Sequence, residues 1–167
     1  MLPVARIIRP ASLEDVKTVA QLNQSSRNEP DGTVGIEYLE SDFQAYLGKD
    51  HIFFFVAEVD NCVVGFILAF DHGNWGYVDV LCVHPEARSH GLGTELLGAV
   101  ESIGVTRHWG FIELCRDFTD TQIGAYVERR GYVDVGSVQW YGKLLTSCNE
   151  QDRANWIARD KNGEVEA

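Results

Sequence analysis

Basic residues are scarce in this chain. Fourteen Lys and Arg stand against 25 Asp and Glu, a formal net charge of −11 over 167 residues. That deficit argues against a nucleic-acid binder relying on a basic face, because phosphate neutralisation by Lys and Arg supplies most non-specific affinity. An acidic field draws in cationic amines, or merely keeps the protein soluble; charge alone leaves both open. Cysteine is sparse as well. Cys62, Cys82, Cys115 and Cys148 have spacings that fit neither a zinc site nor a disulfide framework, and the first three sit in apolar runs as expected core thiols. The five histidines form no H-x-x-x-H pair, so no metal is expected. No apolar run reaches the roughly 20 residues of a membrane span, and no basic segment leads into an apolar core at the start, so a cytoplasmic protein without membrane contact is expected. Repeats, low-complexity stretches and Pro/Gly/Ser-rich linkers are also missing. With 45% hydrophobic residues, the chain reads as one domain over 1–145 and a polar tail over 146–167.

What is present is concentrated in Val80 to Leu97, VLCVHPEARSHGLGTELL. An apolar strand runs through a short turn into Gly91 and Gly93, which open onto an amphipathic helix. Glycines permit dihedrals that a Cβ disfavours, and the first N–H groups of a helix have no partner within it. Together they favour an anion such as a pyrophosphate. A plain tight turn is the alternative for the two glycines alone. Two familiar phosphate loops do not fit: Thr94 and Glu95 stand where a P-loop needs Lys and Ser/Thr, and Leu96 replaces the third glycine of a dinucleotide fingerprint.

Around this stretch the periodicities predict a strand at Arg6 to Arg9 and a first helix, opened by Ser12 and Asp15, to about Gln24. A polar loop over Asn23 to Gly35 follows, then a second helix ended by Gly48 and a hairpin of Ile52 to Val59 with Val63 to Phe70. Further strands are expected at Tyr77 to Val83 and Phe111 to Cys115, a helix at Asp120 to Arg130, and closing strands at Tyr132 to Val135 and Val138 to Leu145. Strand alternation places Asp79 with Tyr77 and Leu81, opposite Val78, Val80 and Cys82.

Arg88, Gly91 and Gly93, preceded by Val83, His84 and Pro85, resemble the Gln/Arg-x-x-Gly-x-Gly/Ala signature and V-x-P turn of the GNAT superfamily of N-acetyltransferases. RIIRPASLEDV (Arg6 to Val16) and AYVERRGY (Ala125 to Tyr132) are similar to its first strand and its late helix, and elements in family order cover residues 5 to 145. The resemblance implies an α/β fold with a mixed, mostly antiparallel sheet of six to seven strands, about four flanking helices and a splayed fourth and fifth strand. It also implies acetyl transfer from acetyl-CoA to a primary amine of a small molecule or peptide by direct attack. Main-chain groups of Leu81, Cys82 and Val83 would hold the acyl arm. Arg88, Ser89, His90, Gly91, Leu92, Gly93 and Thr94 would cradle the phosphates, with Asp120 and Arg129 also on the cofactor.

Asp79 is the candidate base, a solvated strand carboxylate being the alternative, and Glu113 a second candidate. Two positions depart from the family pattern: Asp120 replaces an asparagine, and Val127 stands where a tyrosine acid is usual, leaving Tyr126, about 100° away on a helix, as the candidate acid. A non-catalytic acyl-CoA-binding module is therefore the alternative function. The acceptor is expected between the Asn23 to Gly35 loop, with Glu29, Asp31 and Glu37, and the turn near Gly136. Homodimers are common in the family, and no residue pattern decides the point.

Overall fold

The computed structural model describes residues 5–27, 38–115 and 121–136. The chain forms two compact units, Met1–Cys115 and Arg116–Ala167. The first holds five strands in the order β1 to β5: β1 (Arg6–Pro10), β2 (Ile52–Val59), β3 (Cys62–Asp71), β4 (Trp75–Val83) and β5 (Phe111–Leu114). Neighbours are antiparallel up to β4, and β4 and β5 run parallel. A parallel pair needs a crossover, supplied here by the helix α3 (Leu92–Thr106). Helices α1 (Val16–Arg27) and α2 (Glu40–Tyr46) come between β1 and β2. Among the described residues no helix is long and apolar enough to cross a membrane.

Local chemistry explains most element ends. Pro10 closes β1, where a missing N–H does least harm to a ladder. The Asp15 carboxylate then accepts from the Ser12 amide (2.7 Å) and hydroxyl (2.8 Å), starting the turn into α1. Asp60 and Asn61, with φ of 48° and 64°, make the two-residue turn that suits the twist of the β2–β3 hairpin. Under β1, Arg9 binds Asp15 through both Nη atoms (2.7 and 2.8 Å) and Glu58 through Nε (2.8 Å).

The sheet is covered on both faces. Val16, Val19 and Leu22 of α1 and Phe43 of α2 pack with Phe54, Val56, Phe66, Leu68 and Cys82 on one face. On the other, Ala57, Ile67, Ala69 and Val78 are buried beneath Leu92, Leu96, Leu97 and Val100 of α3. At the end of the sheet where β4 begins, Trp109 lies against Gly76 and Gly104, and a Cβ on Gly76 would come 2.1 Å from its ring. The Trp109 indole N–H donates to Asp71 (3.0 Å), whose other oxygen pairs with Arg107 (3.1 Å).

Four expectations are corrected. Helix α1 runs through Asn23 to Arg27, so those residues are not loop. The sheet has five strands among the described residues rather than six to seven: residues 132–136 join no ladder, Val133 and Val135 are 76% and 81% exposed, and β-branched letters make a strand only against a neighbour. The other closing strand, Val138 to Leu145, and the tail lie outside the described residues. Cys62 and Cys115 are exposed free thiols, because they stand at the ends of strands instead of within them; Cys82 is buried.

The fourth correction concerns β4. Its pairing passes from Ala69↔Val78 to Leu68↔Val80, leaving Asp79 as an extra residue in a β-bulge. Paired residues share a face, so Val80 and Cys82 lie with Leu68 and Phe66 on the α1 and α2 face, while Val78 lies with Ala69 on the α3 face. Asp79 reaches the α1 and α2 face, where Tyr38 binds it. It therefore sits with Tyr77, Val80 and Cys82, and Leu81 takes the opposite side.

Candidate active site

The turn after β4 is fixed before any ligand is considered. The His84 amide donates to the carbonyl of Val64 (2.8 Å), the residue that β3 bulges out between Gly65 and Val63. A single 3-10 turn, Pro85–Ala87, follows, and Arg88 folds back so that its Nε donates to the Val83 carbonyl at 2.9 Å. Ser89 (φ 65°) and Gly91 (φ 85°, ψ −1°) are left-handed, and Gly91 caps α3. A Cβ at Gly91 would meet nothing within 4 Å, so the dihedrals require the glycine and open space lies beside it.

The first rung of α3 runs from the Glu95 amide to the Gly91 carbonyl at 3.0 Å. The amides of Leu92 and Gly93 precede that rung and carry the positive end of the helix dipole. The Leu92 side chain is core, so only its main chain faces the turn. Ser89, His90, Gly91 and Thr94 are exposed, and Gly93 is half-buried. One contributor escaped sequence reasoning: Arg6 of β1 donates through Nη1 to the His90 carbonyl (2.6 Å) and lies 3.7 Å from Glu95. No local pattern marks that long-range contact.

Beside this turn β4 parts from β5. Their pairing ends at Val78↔Leu114, yet β4 stays paired with β3 as far as Val83. Among the described residues no strand pairs with the outer edge of β4 from Asp79 to Val83, and alternate main-chain groups there point away from β3. Leu81 and Val83 are half-buried, and Cys82 turns its thiol into the core toward the Leu22 carbonyl (3.7 Å). A cavity of about 190 Å³ adjoins the strand end, between Leu22, Ser25 and Ser26 of α1 and the run from Cys82 to Pro85.

Asp79 stands where the two strands part. Its Oδ2 accepts a 2.5 Å hydrogen bond from the Tyr38 hydroxyl. Burial, then the bond and charge of Asp79, then Tyr46, push the Tyr38 hydroxyl far above its ordinary pKa, so it remains a donor. Burial also raises Tyr77, with Cys115, Asp79 and Glu113 around it. Glu113 pairs with Tyr77 across the strands and is exposed. The arrangement can accept an anion at the start of α3, hold an extended ligand along β4 and present a carboxylate near its middle.

The model of the Acetyltransferase (GNAT) family matches residues 17–132. The chain belongs to the GNAT acetyltransferases. Similar solved structures include the aminoglycoside N-acetyltransferase AAC(6')-Iy in complex with CoA, at 19% identity and a TM-score of 0.72, over 87% of this chain and 100% of that one. An aminoglycoside acetyltransferase from an uncultured soil metagenomic sample, in complex with sisomicin, aligns at 15% identity and TM-score 0.68 over 84% and 97%. A ribosomal-protein-alanine N-acetyltransferase from Brucella melitensis biovar Abortus 2308 aligns at 20% and 0.63 over 84% and 100%. At these identities the likeness is one of fold.

In this GNAT chain, Arg88 to Thr94 and Leu81 to Val83 form one continuous run leading from Asp79. Tyr126 and Arg129 belong to the second unit, within and just after α4 (Thr121–Glu128). Tyr126 is half-buried and Arg129 exposed; Val127, in the position where the family pattern has tyrosine, is buried. The helix closes as expected, with Gly131 at φ 90° and the Tyr132 amide donating to the Val127 carbonyl (3.1 Å). Asp120, Glu29, Asp31 and Glu37 lie outside the described residues.

Proposed function

We propose that this GNAT protein transfers the acetyl group of acetyl-CoA to a primary amine of a small molecule or peptide by direct attack. The observation that carries the reading is the continuity of the site. One stretch of chain supplies the bulged carboxylate, a strand edge without a partner among the described residues, and the amides at the start of α3. The fit to a pyrophosphate rests on the left-handed Gly91, the open space beside it and the amides of Leu92 and Gly93 ahead of the helix ladder. Acetyl-CoA supplies an activated thioester; the chain supplies placement and proton transfer.

The amine must lose a proton before attack. At pH 7 an alkylamine with a pKa near 10.4 pays about 4 to 5 kcal/mol for this. Asp79 takes the ammonium proton, directly or through water. The amine nitrogen then bonds to the thioester carbon and gives up its second proton to water, amides of Leu81 to Val83 stabilise the oxygen's developing charge, the C–S bond breaks with its electron pair on sulfur, and the departing thiolate takes a proton from water. Both a drug-like polyamine and a protein N-terminus are in keeping with the names of the structural neighbours, and the net charge of −11 suits a cationic acceptor.

Acetyl-CoA with an amine panel, followed by free-thiol release, tests the reading. Amine-dependent release is expected, and Asp79→Asn should lower turnover by about 10²- to 10⁴-fold at neutral pH and by less at high pH. The buried Val127 favours a second reading, a non-catalytic acyl-CoA-binding module. That protein would gain about 2.7 kcal/mol of stability from acetyl-CoA at 100 times its Kd, with no amine-dependent release.

A further inference from the structure

We propose that Tyr38 is the positioning residue of the Asp79 base; this rests on the assignment of Asp79 in the proposed reaction. A carboxylate on a bulge is set free from the strand's alternation, and its aim must come from elsewhere. Tyr38 provides that aim. It immediately precedes Leu39, the residue that caps α2, and is only 8% exposed. Its ring is wedged against Phe43 (centroids 5.5 Å apart, tilted 57°) and edge-on to Tyr46 (5.7 Å, 82°). Phe43 in turn stacks on Phe54 at 5.5 Å and meets Phe66 edge-on at 5.6 Å. The phenol is thus fixed by the aromatic core, with its hydroxyl on Asp79 Oδ2 at 2.5 Å.

The bond has a chemical consequence besides geometry. A neutral phenol donates to a carboxylate more strongly than to a carboxylic acid, so Tyr38 favours the ionised form, the form a base must hold. Other titratable groups in this neighbourhood, among the described residues, include Tyr46 and Asp42 of α2, Tyr77 of β4, and Glu113 and Cys115 at the end of β5. Tyr38 bonds the carboxylate directly.

The test compares Tyr38→Phe, which keeps the ring and removes the donor, with Tyr46→Phe and Asp79→Asn. A carbon-13 titration of the Asp79 side-chain carboxyl reads the bond without needing activity. Its pKa should rise by about one unit in Tyr38→Phe, the lower end of the range for a hydrogen bond to a charged group. Because the base works only when ionised, the acid limb of the kcat/KM profile should move to higher pH by the same amount, with the plateau at high pH retained. Tyr46→Phe should move the limb by less than a third as much. An unchanged carboxyl titration in folded Tyr38→Phe overturns the proposal, as does an equal shift in Tyr46→Phe. If Asp79→Asn abolishes the limb while Tyr38→Phe leaves it in place, the base stands and the positioning role falls. If Asp79→Asn keeps the limb, the base assignment itself fails and takes this role with it.

Discussion

Replacing Asp15 by asparagine isolates one electrostatic contribution to the stability of the first unit. The Asp15 carboxylate is almost wholly buried, with 6% of its side chain exposed, and is gripped by Arg9 and by the Ser12 amide and hydroxyl. The Arg9 hydrogen bond holds its pKa at about 2, against 3.8 for the unperturbed group, despite the opposing cost of burial. Arg9 is shared with Glu58 and stays charged throughout, so the carboxylate alone sets the pH dependence. A folded pKa below the unfolded one gives stability that is full above pH 4 and lost as pH falls from about 4 to about 2. The difference of about 1.8 units corresponds to about 2 kcal/mol at neutral pH, of which about 1.5 kcal/mol should be gone by pH 2.5. Urea unfolding of wild type and Asp15→Asn at a series of pH values from 6 to 2.5 measures it. The wild type's advantage should shrink by that amount over this window. A difference constant to within about 0.5 kcal/mol would refute the claim that the ion pair governs acid stability.

Three further outcomes are expected. Gly76→Ala drives a methyl into Trp109, 2.1 Å from a ring atom, and should cost about 3 kcal/mol or more of unfolding free energy; an unchanged melting temperature would contradict the packing at that end of the sheet. Arg6→Ala frees the His90 carbonyl and should raise the KM for acetyl-CoA several-fold with kcat little changed, measured by thiol release at saturating amine. Gly91→Ala keeps an open space but forces a left-handed residue, costing about 1 kcal/mol and weakening acetyl-CoA binding in a thermal-shift titration.

Local patterns made much of the first unit legible. The hairpin about Asp60 and Asn61, the apolar face of α3 and the glycine-led turn each depend on residues a few positions apart. Contacts between distant residues were not legible. The bulge at Asp79 exists only in the pairing of β4 with β3, so a strict two-residue alternation put Val80 and Cys82 on the wrong side of it. Tyr38 lies 41 residues from Asp79 and Arg6 lies 84 from His90, and neither has a neighbour in sequence that hints at its partner. Tyr132 to Val135 shows the converse: strand-forming letters without a ladder among the described residues. In the candidate site, the motif around Gly91 was visible as a motif, whereas the aim of the carboxylate was visible only in three dimensions.

The bulge gives β4 two hydrophobic rhythms in opposite phase, joined at residue 79. Before the joint the even-numbered Val78 faces α3; after it the even-numbered Val80 and Cys82 face α1 and α2. Substituting Asp79 therefore changes chemistry and leaves the phase alone. Deleting it would close the bulge: Val78 and Val80 would become successive residues of a regular ladder, Val80 and Cys82 would still face α1 and α2, and only the carboxylate and the distortion where β4 parts from β5 would be lost. The length of this strand is as much a part of the site as any side chain on it.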